Sequence, residues 1–253
     1  MRKHVFITGA PRSGTTLIKT VLTTHSALAG GDYESTGLFK IRDLFQYSCG
    51  EIENGWIDVS CEDATDLIDF YDQLSSALLQ HYGGEYFVDK IWPHWVRLKY
   101  VTAKFPEAKW VHMVRNGLDS YCSARRHPNI PQSSDLEEFA QYWQDANRLI
   151  EREVPKGRTF RLRYEDLAGA PERAIPRVMS FLGLSYQKPQ LHPGASGRVV
   201  SIRKRKYHHR LTKPIDDRSV ERWKTELDDQ EYHRFMTVAR GELERYGYLA
   251  DKQ

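Results

Sequence analysis

Several things are scarce in this chain, and each scarcity narrows what it can be. Only three of its 253 residues are cysteine, Cys49, Cys61 and Cys122, and no two of them have CxxC spacing. An odd number without that spacing argues against a disulfide framework or a zinc site and reads as ordinary thiols in a reducing compartment. No apolar run approaches the roughly 18 residues of a membrane span. "VFIT", behind "MRKH", is too short for the apolar core of a signal peptide. The expectation is therefore a soluble, cytoplasmic protein. Excess charge is also small, +3 in all. That gives no sign of a nucleic-acid partner, while leaving room for a local basic pocket around an anionic cofactor. Internal repeats and low-complexity segments are missing too. What is present, 40% apolar residues with six tryptophans, is enough to fill the core of one large α/β domain spanning residues 1–253.

The most informative scarcity is a single lysine. "ITGAPRSGTTLIKTVL" (7–22) has the spacing of a phosphate-binding P-loop, Gly9 and Gly14 separated by four residues. Thr15 stands where an ATP-hydrolysing loop carries its lysine, and Thr16 follows at the Ser/Thr position. The glycines permit a backbone that turns several N–H groups toward one anion, and the following helix adds its partial positive charge. Arg12, Ser13, Thr15 and Thr16 supply further donors. The plainer alternative, glycines that only make a turn, does not account for the agreement of glycine spacing, hydroxyl pair and strand context.

The order of elements gives the loop its setting. "HVFIT" (4–8), "EYFVDK" (85–90), "KWVHMVR" (109–115) and "RTFRLRYEDL" (158–167) read as strands. Helices are expected over "GTTLIKTVLTTH", "WVRLKYVTAKF", "GLDSYCSARR", "DLEEFAQYWQDANRLIERE", "PERAIPRVMSFLGL", "DDRSVERWKTEL" and "DQEYHRFMTVARGELERYGYL". In the fourth of these, Leu136, Phe139, Ala140, Trp143, Ala146 and Ile150 share one face. Strands alternating with helices predict a three-layer P-loop fold, a central parallel sheet flanked by helices. Ligands of such sheets bind at the carboxyl ends of the strands, where Gly9, Lys90, Arg115 and Tyr164 all fall. Two segments break the rhythm, about 30–84 and the basic, Gly- and Pro-rich 190–215. His112, mid-strand, reads as a satisfied core histidine.

"GAPRSGTTLIKTVL" resembles the 5′-phosphosulfate loop of the sulfotransferases that use PAPS, 3′-phosphoadenosine 5′-phosphosulfate. "VHMVRNGLDSYCS" is similar to their 3′-phosphate motif, an Arg at a strand end and a Ser eight residues later, here Arg115 and Ser123. "RYEDL" before a Pro-opened helix ending "FLGL" is a third similar block, and some features resemble tyrosylprotein sulfotransferases. The resemblance covers residues 4 to about 248 and is weakest over 30–84 and 190–210, where acceptor pockets vary. It implies transfer of a sulfuryl group from PAPS to a hydroxyl or amine, with release of 3′,5′-ADP and no required metal. It further implies that Lys90 stabilises the leaving phosphate oxygen, which answers the missing loop lysine, since a sulfuryl group carries less charge than a phosphoryl group.

For the base, the resemblance points to Glu34. The histidine that cytosolic members place two residues after the lysine is here Trp92, and the nearest imidazole is His94; His94 and Asp32 stay as reserves. Around the nucleotide, Arg12, Ser13, Gly14, Thr15, Thr16, Arg115, Ser123, Tyr164 and Lys213 are the candidate contacts, with Arg126 as reinforcement at the 3′-phosphate. Tyr164 reads equally as a core tyrosine. The run "RKRKYHHR" (203–210) reads mainly as a solvated charged face. Trp56, Tyr71 and Trp95 belong either to an acceptor pocket or to the core. The acceptor, whether small molecule, sugar or peptide, is not specified by the sequence. Two rivals stand beside this reading: a P-loop small-molecule kinase, which requires the lysine that Thr15 replaces, and a non-catalytic nucleotide-binding protein with a relic loop. The compact form suggests a bacterial source.

Overall fold

The computed structural model describes residues 3–30, 67–94, 96–195 and 213–249. Five parallel strands form one sheet in the order β2-β3-β1-β4-β5. The strands are β1 (Lys3–Gly9), β2 (Leu28–Ala29), β3 (Tyr86–Lys90), β4 (Lys109–Val114) and β5 (Thr159–Arg163). Between and after them run α1 (Thr15–Thr23), α2 (Leu67–Tyr82), α3 (Leu98–Lys104), α4 (Gly117–Ala124), α5 (Leu136–Glu153), α6 (Tyr164–Gly169), α7 (Pro171–Leu182), α8 (Trp223–Glu226) and α9 (Asp229–Arg245). None of the described helices is long and apolar enough to cross a membrane.

The central strands are buried on both faces, which is why they read as continuous apolar runs. Alternation along β1 divides them between two cores. Val5 and Ile7 pack with Val88, Val111 and Met113 beneath α1 and α7. Phe6 packs with Phe87 and Trp110 against α2 and α3. A third cluster joins α4, α5 and α9, and the predicted face of α5 is buried throughout. Asp135 caps α5 by accepting from Glu138 N at 2.8 Å. Pro171 opens α7, and Gly183 ends it in the left-handed conformation.

Two local expectations need correction. The strand predicted over 158–167 stops at Arg163, and Tyr164 begins helix α6. Glu165 and Asp166 lie in the first turn of that helix, where carboxylates meet its positive end. The helix predicted over "DDRSVERWKTEL" shrinks to the four residues of α8. Asp119 of α4 takes the backbone N–H groups of both Glu221 and Trp223, at 2.8 and 3.0 Å, and Glu221 has φ 56°. Those ties to α4 replace helical bonds. Strand β2 was not foreseen; two residues are too few for a period to register.

His112 behaves as expected of a core histidine. It is buried, and its Nε2 donates to Asn147 Oδ1 at 3.0 Å, while Asn147 Nδ2 donates to Trp143 O at 2.9 Å. Burial pushes the imidazole down to about 4. An unfolded histidine takes up a proton near pH 6.5, which folded His112 refuses until about pH 4. The unfolded state thus binds more protons across that window, and His112 makes stability fall as pH drops through it, by roughly 3 kcal/mol in total. Urea unfolding of wild type and His112→Gln between pH 7 and 4.5 should show the stability gap between them narrowing as pH falls.

Candidate active site

Parallel pairing carries the ends of β1, β3 and β4 to one edge. In register, Ile7 lies beside Lys90 and Gly9 beside Met113, so the glycine loop leaves the sheet between the last residue of β3 and Arg115, just beyond β4. Gly9 is required by crowding: a Cβ there would stand 2.5 Å from both Met113 O and Ser13 Oγ. Gly14, at φ +96°, would bring a Cβ to 2.7 Å from the Tyr164 ring. Arg12 itself sits at φ 62°, a left-handed conformation that few non-glycine residues adopt.

Lys90 is 5% exposed, and its Nζ donates to Thr16 Oγ1 at 3.0 Å. It also lies 5.1 Å from the Trp92 ring centre. The ammonium missing from the loop thus arrives from the neighbouring strand at the hydroxyl in the loop's last position.

The other side of the loop is built from guanidinium groups. Arg115 donates from one terminal nitrogen to Arg12 O at 3.1 Å and from the other to Ser219 O at 2.6 Å. Its Cζ lies 4.4 Å from the centre of the Tyr164 ring. Arg12 Nε donates to Ser123 Oγ at 3.1 Å. Burial, then Arg115, then Arg222 pull the Arg12 guanidinium down to about 10. Arg115 is lowered as well, chiefly by burial. Such a cluster of buried like charges favours an anion among them. Two buried donors point the same way: Ser13 Oγ and Arg115 Nε have no hydrogen-bond partner among the described residues. Donors of this kind fit a phosphate, as the glycine loop does.

Of the residues named from sequence, Arg12, Arg115, Ser123 and Tyr164 come together, and Lys90 joins Thr16 on the loop. Ser13 and Thr15 are buried within the loop region. His94 lies against Tyr142, ring centres 4.3 Å apart, with Nε2 donating to Tyr142 O at 3.1 Å. In that tautomer its basic atom is Nδ1. Lys213 is exposed, and no hydrogen bond or ion pair among the described residues joins it to the cluster. Arg126 pairs instead with Glu226 at 3.0 Å. Tyr71 is core, fully buried. Glu34, Asp32, Trp56, Trp95 and the run 203–210 lie outside the described residues.

Two contributors escaped the sequence reading. Arg222 extends the cationic cluster, held by Glu226 at 3.0 Å and by Cys122 O at 3.4 Å. It sat in a stretch that read as an ordinary surface helix. His127 is half-buried just beyond α4, and burial first, then Arg12 and Lys90, hold its imidazole below the usual value. The only signal was its position four residues beyond Ser123.

Fold and cluster together define a class: an α/β protein with a P-loop-type anion site whose lysine comes from the adjacent strand. The chain belongs to the sulfotransferase family, whose sequence pattern matches residues 4–188. An Aquifex aeolicus (strain VF5) protein is 25% identical over 257 residues, 93% of this chain and 31% of that protein. Protein-tyrosine sulfotransferase 2 of Gallus gallus is 25% identical over 244 residues, 87% of this chain and 62% of that protein. The chain thus spans less than two thirds of either relative. Among solved structures, the sulfotransferase domain of the Synechococcus PCC 7002 olefin synthase superposes with a TM-score of 0.65 at 20% identity, covering 98% of this chain and 96% of that one. Mouse sulfotransferase SULT7A1 complexed with PAP gives 0.56 at 17% identity, covering 96% and 85%. These likenesses establish a shared fold.

Replacing Gly14 with Ala should destabilise the protein, because the new methyl meets both the left-handed backbone and the Tyr164 ring. The expected cost is about 1–3 kcal/mol, read as a lower urea midpoint at unchanged m-value.

Proposed function

We propose that this chain transfers a sulfuryl group from PAPS to a hydroxyl or amine of an acceptor, releasing 3′,5′-ADP. In one in-line step the acceptor oxygen or nitrogen bonds to sulfur, the bond from sulfur to the bridging phosphate oxygen breaks, and the acceptor gives up its proton to a base. The observation that carries the reading is Lys90 Nζ at 3.0 Å from Thr16 Oγ1, a cation beside a lysine-free phosphate loop. In this reading Lys90 balances charge developing on the leaving oxygen. The loop amides, Ser13, Thr15 and Thr16 hold the 5′-phosphosulfate, while Arg12, Arg115 and Ser123 hold the 3′-phosphate. Tyr164 and Lys213 belong to the nucleotide side. Glu34 is the proposed base, with His94 Nδ1 as the reserve. The mouse neighbour's PAP, which is 3′,5′-ADP, supports the donor, and the tyrosine-sulfating relative supports an acceptor hydroxyl on a peptide or small molecule.

A kinase would need a carboxylate at a strand end to hold its metal. Asp89 is the residue at that place, and its oxygens are already engaged by Lys90 N at 2.7 Å, Tyr71 OH at 3.0 Å and Lys19 Nζ at 3.6 Å. That arrangement favours the sulfotransferase reading.

3′,5′-ADP at about a hundred times its dissociation constant should add roughly 2.7 kcal/mol of stability, a rise in Tm on the order of 5–10 °C without added metal. Arg115→Ala should weaken 3′,5′-ADP binding about 10- to 100-fold in calorimetry. A shift given only by Mg-ATP would replace this reading with the kinase. Lys90→Ala should retain 3′,5′-ADP while losing at least about 100-fold in radiolabelled sulfuryl transfer from PAPS to a panel of phenols, sugars and tyrosine peptides.

A further inference from the structure

Beneath Lys90 lies a buried polar network that the proposed reaction does not itself use. Asp89 is fully buried, yet it carries a carboxylate, one residue before the end of β3. Its Oδ1 accepts from the backbone N–H of Lys90 at 2.7 Å and lies 3.6 Å from Lys19 Nζ; its Oδ2 accepts from Tyr71 OH at 3.0 Å. Tyr71 reaches it from α2 and Lys19 from α1. Both partners are themselves buried. A buried ion pair contributes little net stability against a well-packed apolar replacement, so its presence asks for a reason other than holding the fold.

The connections suggest one. Lys90 Nζ reaches Thr16, Thr16 lies on α1 less than one turn before Lys19, and Lys19 returns to Asp89, the residue before Lys90. The circuit therefore closes through α1, the helix that carries the phosphate loop. We propose that Asp89 is a positioning residue: with Lys19 and Tyr71 it fixes the end of β3 relative to α1, and so aims the Lys90 ammonium at the loop. This rests on the sulfotransferase reading for its functional meaning, though not for its geometry. A cation that must meet charge developing on one oxygen gains from such fixing, because a misplacement of about 1 Å can cost roughly 100-fold in rate.

Three single variants, Tyr71→Phe, Lys19→Met and Asp89→Asn, test it on the full chain. Circular dichroism and urea unfolding first establish which of them fold. Tyr71→Phe removes one hydroxyl from the circuit and decides the matter if either charge variant does not fold. Each folded variant is assayed in three ways. Acetic anhydride labelling of Lys90, read by peptide mass spectrometry without any nucleotide, reports how firmly the ammonium is held. Calorimetry gives the 3′,5′-ADP dissociation constant. Release of 3′,5′-ADP from PAPS with water as acceptor gives a turnover number.

Positioning predicts at least a fivefold faster labelling of Lys90 and a 10- to 100-fold lower turnover, with the dissociation constant changed less than threefold. Unchanged labelling and turnover in a folded Tyr71→Phe would overturn the proposal. So would a loss of 3′,5′-ADP affinity as large as the loss of turnover, because the network would then be supporting the loop as a whole. Should wild type neither bind 3′,5′-ADP nor release it from PAPS, the sulfotransferase reading falls; faster labelling in the variants would still uphold the role of Asp89 in fixing Lys90.

Discussion

Positive charge held close to positive charge is the constraint around which this site is arranged. Arg12, Arg115 and Arg222 share a largely buried corner, and burial together with mutual repulsion lowers the proton affinity of the first two. Desolvating such groups is costly unless something answers each of them. Much of the answer comes from dipoles. Backbone carbonyls of Arg12, Ser219 and Cys122 accept from Arg115 and Arg222, a serine hydroxyl accepts from Arg12, and the Tyr164 ring lies against Arg115. Carboxylates take part as well: Glu226 pairs directly with Arg222, and Asp119 is turned to the backbone of residues 221 and 223. Dipoles hold Arg12 and Arg115 in place without cancelling their charge, whereas Glu226 offsets that of Arg222, so the attraction of the corner for an anion rests on the first two.

The sheet makes this affordable. Parallel strands stop in register at one edge, so residues remote in sequence meet there without long side-chain excursions. The loop can then divide its work. In the proposed function its backbone and hydroxyls hold the anion, while the ammonium comes from Lys90 at the end of β3 and meets the loop at Thr16. A lysine on α1 itself would be tied to the loop's conformation. One on β3 is tied to the rigid sheet.

Sequence made the sheet edge legible because continuous apolar runs followed by Gly, Lys or Arg mark where strands end and chemistry begins. The glycine loop, Arg115 and Ser123 were readable through spacing, and the α5 face through its period. The misses share a different physics. Tyr164 opens a helix because acidic residues follow it, a preference of one turn that a strand-like run obscured. The stretch 216–227 carries a helical pattern, yet Asp119 captures two of its amides from across the fold, a tertiary bond that no local pattern encodes. Arg222 looked unremarkable for the same reason, since Cys122 O, which it reaches, lies 100 positions away, and Asp89 could be read from sequence only as an acidic strand end suited to the rival kinase, because Tyr71 lies 18 positions away.

Arg115 depends on Ser219, 104 residues further along, and Asp119 on Glu221 and Trp223, 102 and 104 further along. During synthesis the loop, Lys90 and Arg115 leave the ribosome well before those partners exist. The nascent chain can assemble its sheet early, but the corner beside Arg115 closes only when the segment around residue 219 arrives, the kind of long-range contact whose closure comes late in folding. The recognisable family pattern ends at residue 188, short of that segment. A fragment cut to the pattern would carry the family's signature residues and lack the backbone that completes their setting.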